Sequence, residues 1–252
     1  MKRKYLKRVI LSIFVGIGIA TIAIGVLINL YNKGIVIPNE LVASKYPIKG
    51  IDVSNYQGDI DWEVLSNEED ISFVFIKATE GSSFVDKKFK YNYEQARKNG
   101  LYVGAYHFFS YDSEGKTQAE NFIKTVKAFN GMLPPVIDLE FYGDKMKNPP
   151  KKKDVDTQLK VLLEKLENHY GKKPIIYASE ISYALYLAND YEEYDIWISN
   201  FATKPIMWGD NKKWTFWQYA DREKLDGYSG DEKFIDVNVF YGSEEEFNKY
   251  IE

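Results

Sequence analysis

The sequence predicts an α/β fold, an irregular β/α barrel preceded by one membrane-spanning helix. Three observations predict it. From Lys49 onward, short β-branched and aromatic runs alternate with longer segments of helical period. Eight such runs are present, the number that closes a β/α barrel, although an open doubly wound sheet remains the alternative. Ahead of them, Val9 to Leu30 is a stretch of 22 residues without a charge.

At a rise of about 1.5 Å per residue, that stretch is long enough to cross a hydrocarbon core of about 30 Å. Lys2, Arg3, Lys4, Lys7 and Arg8 precede it and only Lys33 follows before Glu40, a bias that keeps the N-terminus in the cytoplasm and places the body outside. The expected layout is a cytoplasmic basic segment (1–8), a signal anchor (9–30), a juxtamembrane linker (31–46) and an extracellular barrel domain (47–252). A cleaved signal peptide, giving a secreted body, is the competing reading. Its apolar region would be shorter and would end at a small-x-small site, which Leu30-Tyr31-Asn32-Lys33 does not offer.

The strand candidates are Gly50 to Val53, Ser72 to Lys77, Tyr102 to Phe108, Pro135 to Glu140, Pro174 to Ala178, Asp195 to Ser199, Thr215 to Tyr219 and Ile235 to Val239. Helices fall between them where apolar spacing ends at a glycine. Phe89, Tyr93 and Ala96 precede Gly100; Phe122, Val126 and Phe129 precede Gly131; Asp156 to Tyr170 precedes Gly171. Ser179 to Asn189 makes a fourth helix, and Ser243 with Glu246 forms a capping box for a last one. After Asp195 the connections lack clear helices, so the later units of the barrel are expected to be irregular.

Composition narrows the chemistry. Of 252 residues, 45% are hydrophobic and none is Cys, which removes disulfides, thiol nucleophiles and thiolate metal sites together. Residues 41–252 carry 27 basic and 36 acidic residues, a net of −9, opposite in sign to a nucleic-acid-binding body. His107 and His169 are the only histidines, without an H-E-x-x-H pattern, so no metal site is expected. Gly227-Tyr228-Ser229-Gly230-Asp231 lacks the last glycine of a serine elbow, and no phosphate-cradling glycine motif occurs. Carboxylates and aromatics remain.

In Val136-Ile137-Asp138-Leu139-Glu140 an apolar strand finishes with two acids two residues apart, so both leave the same face. Active sites of barrels form at strand ends. Two adjacent carboxyls raise one pKa and leave the other ionised, so that one donates a proton while its neighbour stabilises positive charge, as glycosidic bond cleavage requires. Asp52 and Asp236 also alternate with apolar neighbours, in the first and last strands, which barrel closure makes adjacent.

The segments Asp52-Val53-Ser54-Asn55-Tyr56-Gln57-Gly58, Lys77-Ala78-Thr79-Glu80-Gly81, Gly104-Ala105-Tyr106-His107-Phe108, Asp138-Leu139-Glu140 and Asp236-Val237-Asn238 occur in this order between Lys49 and Gly242. Together they resemble glycoside hydrolase family 25, the Chalaropsis-type lysozymes or N-acetylmuramidases. The resemblance implies a flattened β/α barrel, no cofactor, and hydrolysis of the β-1,4 bond from N-acetylmuramic acid to N-acetylglucosamine in peptidoglycan glycan strands. It implies Glu140 as proton donor, with Asp138, Asp52 and Asp236 completing the acidic site. Asp138 is then expected to orient the substrate's own 2-acetamido group as an internal nucleophile; a carboxylate nucleophile and an inverting water remain alternatives. A non-catalytic glycan-binding membrane protein is the other reading of the chain.

Tyr106, Trp197 and Gln218 are the expected substrate-binding residues. Trp197 alternates with Ile196 and Ile198, while the inward face of Phe216-Trp217-Gln218-Tyr219 is undetermined by pattern. Tyr106 is preferred to His107, since no nucleophile is present for a histidine to activate. Gln57 and Glu80 sit in matched motifs where loop hydrogen bonding alone would explain them. The basic loop Lys145 to Lys153 follows the acid-bearing strand; a solvated loop is the preferred reading, and a loop that overhangs the groove and attracts anionic polymer is the functional alternative.

Overall fold

All eight expected strands form in the computed structural model, which describes residues 2–67, 71–207 and 212–251. The side chains of Lys2, Arg3, Lys7 and Arg8, in the basic N-terminal cluster, lie outside the described set. In chain order the elements are α1 (Lys2–Asn32), α2 (Glu40–Ala43), β1 (Lys49–Val53), α3 (Trp62–Leu65), β2 (Ile71–Glu80), β3 (Phe84–Val85) and α4 (Phe89–Lys98). They continue with β4 (Tyr102–Phe108), α5 (Gly115–Thr125), β5 (Val136–Leu139), α6 (Lys152–Tyr170), β6 (Ile175–Ser179) and α7 (Glu180–Ser182). The last are β7 (Ile196–Ser199), β8 (Phe216–Glu223), β9 (Ile235–Phe240) and α8 (Glu244–Ile251).

The ring runs β1-β9-β8-β7-β6-β5-β4-β2 and closes through parallel pairing of β1 with β2. Pairs from β2–β4 round to β7–β8 are parallel, whereas β9 runs antiparallel to both neighbours. This reversal is the irregularity of the later units: with no helix between β8 and β9, the chain turns straight back. The two-residue β3, absent from the expected strands, pairs antiparallel with the end of β2 and stands outside the ring.

Strand alternation divides the core in two. Phe73, Phe75, Val136, Ile175, Trp197, Phe216 and Phe240 fill the barrel, and Phe247 and Ile251 of α8 pack with them. Each such ring contributes about 1.5–3 kcal/mol by leaving water. Gly104 faces the same interior, where an added Cβ would lie 2.5 Å from the Phe75 ring, so strand packing requires its missing side chain. The outward residues Ile51, Val74, Ile76, Ile137, Leu139, Ile196, Ile198 and Trp217 belong to a second cluster, with Tyr93 and Ala96 of α4, Phe122 of α5 and Leu159, Leu162 and Leu166 of α6.

Helix ends depart from the apolar spacing in one place. The pattern Phe122, Val126, Phe129 predicts a helix reaching Gly131, but α5 stops at Thr125 and Val126 is extended (φ −91°, ψ 118°). A tertiary donor replaces the helical one: the Tyr170 hydroxyl donates to Val126 O at 3.0 Å. The segment expected as a helix over Ser179 to Asn189 is α7 followed by a π-turn at Tyr183–Leu187, with Asn189 at φ 67°. The capping box of α8 forms: Glu246 N donates to Ser243 Oγ at 3.2 Å and Ser243 N donates to Glu246 Oε2 at 2.7 Å.

Within α1, Ile10–Asn32 is 23 residues long and apolar enough to cross a membrane by length and composition, with none of it buried against the barrel over its most apolar stretch. The stretch after it folds onto the barrel. Asn39 is buried and its Nδ2 donates to Asn200 O (2.9 Å) and Tyr219 O (3.1 Å), while Tyr46 packs on Trp214 with ring centroids 5.2 Å apart.

Candidate active site

Inward positions one step above the aromatic layer are polar. They come from β1 (Asp52), β2 (Lys77), β4 (Tyr106), β5 (Asp138), β6 (Tyr177), β8 (Gln218) and β9 (Asp236), and Glu140 follows β5 directly. All of them line one cleft of about 360 Å³, together with Tyr56, Phe108, Trp197, Asp221, Glu232 and Phe234. The four carboxylates named from the sequence therefore share one cavity, and so do Tyr106, Trp197 and Gln218.

Closure of the ring sets Asp52 opposite Asp236 in the β1–β9 register. Gln218 sits between them, its Nε2 donating to Asp52 Oδ2 at 2.8 Å and to Asp236 Oδ2 at 3.1 Å. Asn238 Nδ2 donates to the same Asp52 oxygen at 2.8 Å and is held by Trp197, whose Nε1 donates to Asn238 Oδ1 at 2.8 Å. Burial pushes Asp52 up to about 6, with the Asn238 and Gln218 donors pulling the other way. Asp236 is raised well above the carboxylate range by burial and by the charge of Asp52.

On the other side of the cleft, burial and then the charge of Asp52 lift Glu140 to about 7, opposed by Tyr177 and Lys77. Asp138 is raised well above its usual range by burial and by Glu140, and its Oδ1 has no hydrogen-bond partner among the described residues. Lys77 forms a 2.8 Å ion pair with Glu80 and lies 4.7 Å from the centroid of the Phe108 ring. Its positive charge favours an anion at the acidic pair.

Trp197 is only 2% exposed and stacks on Phe75 at 4.7 Å, so it forms the floor of the cleft more than a wall. Phe216 and Gln218 point inward, resolving the face of β8. His107 occupies the opposite face of β4 from Tyr106, its Nδ1 2.7 Å from Thr79 Oγ1 and its Nε2 3.0 Å from Gln118 Oε1; burial lowers it to about 4, leaving it neutral. Gln57 accepts from Ser54 N at 2.8 Å, a loop-capping bond. The basic loop does not overhang the groove: no residue from Lys145 to Lys153 lines the cleft. Lys145 pairs with Asp112 at 2.7 Å, and Lys152 with Asp190 at 3.0 Å and Asp156 at 3.2 Å, so local carboxylates draw both side chains away.

Tyr177, Asn238 and Lys77 were not among the residues picked out as site candidates. Tyr177 carries the clearest missed sign, since it alternates with the apolar Ile176 and Ala178 at the end of a strand, as Gln218 does with its neighbours.

Residues 51–228 match the family model for glycosyl hydrolases family 25. A family 25 glycosyl hydrolase from Bacillus anthracis superposes with a TM-score of 0.78 at 56% identity, covering 82% of this chain and 95% of that one. Lysozyme M1 of Streptomyces globisporus is 29% identical over 215 residues, 78% of this chain and 68% of its own length. The N,O-diacetylmuramidase of Arthroderma benhamiae is 27% identical over 225 residues, 81% and 86% of the two chains. With the barrel, the acidic cleft and these matches in agreement, the chain belongs to glycosyl hydrolases family 25 and is a glycoside hydrolase.

Proposed function

We propose that this glycoside hydrolase is a membrane-anchored N-acetylmuramidase that cleaves the β-1,4 bond between N-acetylmuramic acid and N-acetylglucosamine in peptidoglycan. The observation that carries the reading is the pairing in one cleft of a proton-holding Glu140 with an Asp138 that has an unpaired oxygen. The names lysozyme and N,O-diacetylmuramidase among its relatives support the substrate class. The charge-free span in α1, with basic residues before it, supports an anchor whose N-terminus is cytoplasmic and whose barrel lies outside the membrane.

In this mechanism Glu140 gives its proton to the glycosidic oxygen as the bond from that oxygen to C1 of N-acetylmuramic acid breaks. The carbonyl oxygen of the 2-acetamido group forms a bond to C1 from the opposite face. Asp138 accepts the acetamido N–H and stabilises the positive charge that develops. Its unpaired oxygen supplies that acceptor without any bond having to be broken first. Water then attacks C1, Glu140 takes its proton, and the acetamido group is regenerated. Burial and the negative charge of Asp52 keep Glu140 protonated, and Gln218 and Asn238 hold Asp52 and Asp236 in place at the floor of the cleft. Tyr106 lines the wall for the sugar.

The test is the full chain beside its Glu140→Gln variant on isolated peptidoglycan, with mass spectrometry identifying each new reducing end. N-acetylmuramic acid ends made only by the unmutated protein are expected. Saturable binding by both proteins with no new ends would instead make the chain a glycan-binding protein.

A further inference from the structure

The end of the anchor helix and the wall of the cleft are in direct contact. Tyr31, in the last turn of α1, donates its hydroxyl proton to Asp221 Oδ1 at 2.7 Å, and Asp221 lines the cleft. The Arg222 guanidinium lies 5.0 Å from the Tyr31 ring and 5.5 Å from the ring of Phe234, a second cleft residue. Gly34 turns at φ 62° so close to this wall that a Cβ there would meet Arg222 O at 2.5 Å and the Phe234 ring at 2.7 Å. Beyond it, Asn39 bonds two backbone carbonyls of the barrel. No free segment separates span from barrel.

The apolar span ends at Asn32, so the Tyr31 contact lies within one helical turn, about 5.4 Å, of the point where the helix leaves hydrocarbon. Headgroups occupy a layer of about 5–7 Å on each side of the core, which places the Asp221–Phe234 wall at headgroup depth. Lys33 and Lys224, the latter with Nζ 5.6 Å from the Phe234 ring centroid, add cations on that side. A barrel on a flexible linker would sample glycan over tens of ångströms, whereas this docking fixes one height.

We infer that the substrate is glycan still tethered to lipid at the membrane face, and that the docked helix sets where along such a strand the cut falls. This rests on the anchored muramidase reading above. The full chain is reconstituted into vesicles of phosphatidylethanolamine and phosphatidylglycerol that carry lipid-tethered glycan strands, and the lengths of the stubs left on lipid are read by mass spectrometry. The comparison is a variant combining Tyr31→Ala with a Gly/Ser linker of about 20 residues between Asn32 and Lys33, which adds a reach of about 25 Å.

The unmodified chain is expected to leave short stubs of narrow length, and the linker variant longer and broader ones, while the two cut the same glycan released from lipid at equal rates. The same broad stubs from both proteins, with released glycan still cut, would overturn the fixed mount and leave the muramidase reading standing. Failure of both to cut released glycan would overturn the two together. Recovery of an active chain shortened through Leu30 and free of vesicles would overturn the anchor.

Discussion

The Tyr177 hydroxyl stands 3.3 Å from Glu140 Oε1 but only 2.7 Å from Gln218 Oε1. It has one proton, and the shorter contact takes the larger share, leaving Tyr177 a weak donor to Glu140. Glu140 is therefore a buried carboxyl with little to stabilise its anion, which is the physical reason it holds a proton to about 7.

Activity should follow that proton. With Glu140 as the acid, kcat/KM declines as pH rises through about 7, because deprotonation removes the donor. Tyr177→Phe takes away this weak donor and leaves the Lys77 charge as the remaining support for the anion, so the alkaline limb should move to higher pH. The ring's packing on Trp197, 4.6 Å away, survives the change. A pH–rate profile of both proteins checks this, and a limb that stays in place in the variant would separate Tyr177 from the acid.

Replacing the acid should cost catalysis and add stability. Glu140→Gln is expected to lower kcat by about 10²–10⁴-fold, the range for a lost general acid. A carboxyl whose folded pKa is raised contributes stability that is complete below its unfolded value, near 4.5, and is lost as pH rises through about 7. The amide escapes that loss, so the variant should be more stable than the parent by up to about 3 kcal/mol at pH 8 and equal to it near pH 4. Thermal unfolding at the two pH values decides; a gain of the same size at both would mean that charge is not its source.

Gln218→Leu leaves Asp52, Asp236 and Tyr177 each short of a partner. Loss of buried partners costs about 1–3 kcal/mol, and the two acids lose donors that favour their charged forms. The variant should be destabilised more at pH 8 than at pH 5, where protonation relieves the anions, and kcat should fall. Denaturant titrations at both pH values, beside steady-state rates, measure the two effects.

The basic loop makes a contrasting case. Lys151→Gln with Lys153→Gln should leave the salt dependence of peptidoglycan cleavage unchanged, because the loop lies away from the cleft. Rates across a salt series test it, and a flattened salt dependence would restore the loop to the substrate path.

The eight strands were legible because each is a short β-branched or aromatic run bounded by turn residues, and the acids because they interrupt those runs on one face. Their convergence followed from closure alone: if the first strand meets the last, Asp52 meets Asp236. The reversal of β9 left no mark in its own residues, since alternation reads the same in either direction. Tyr177 shows the same alternation as Gln218, and Asn238 stands two residues from Asp236, but what either side chain bonds to is set by the strands that face it. Just past the early end of α5, the Val126 carbonyl is met by the hydroxyl of Tyr170, a distant donor that no local spacing encodes.

The hydrogen bond from Asn238 to Asp52 joins residues 186 positions apart, and it forms only when β9 slots between β1 and β8. Contacts of such separation are slow to form, since the intervening chain must first be ordered. Because β5 precedes β9 in the chain, Asp138 and Glu140 are synthesised well before Asp236 and Asn238. The acidic cleft is thus a product of ring closure: its two halves lie far apart in the chain and meet only when β9 takes its place.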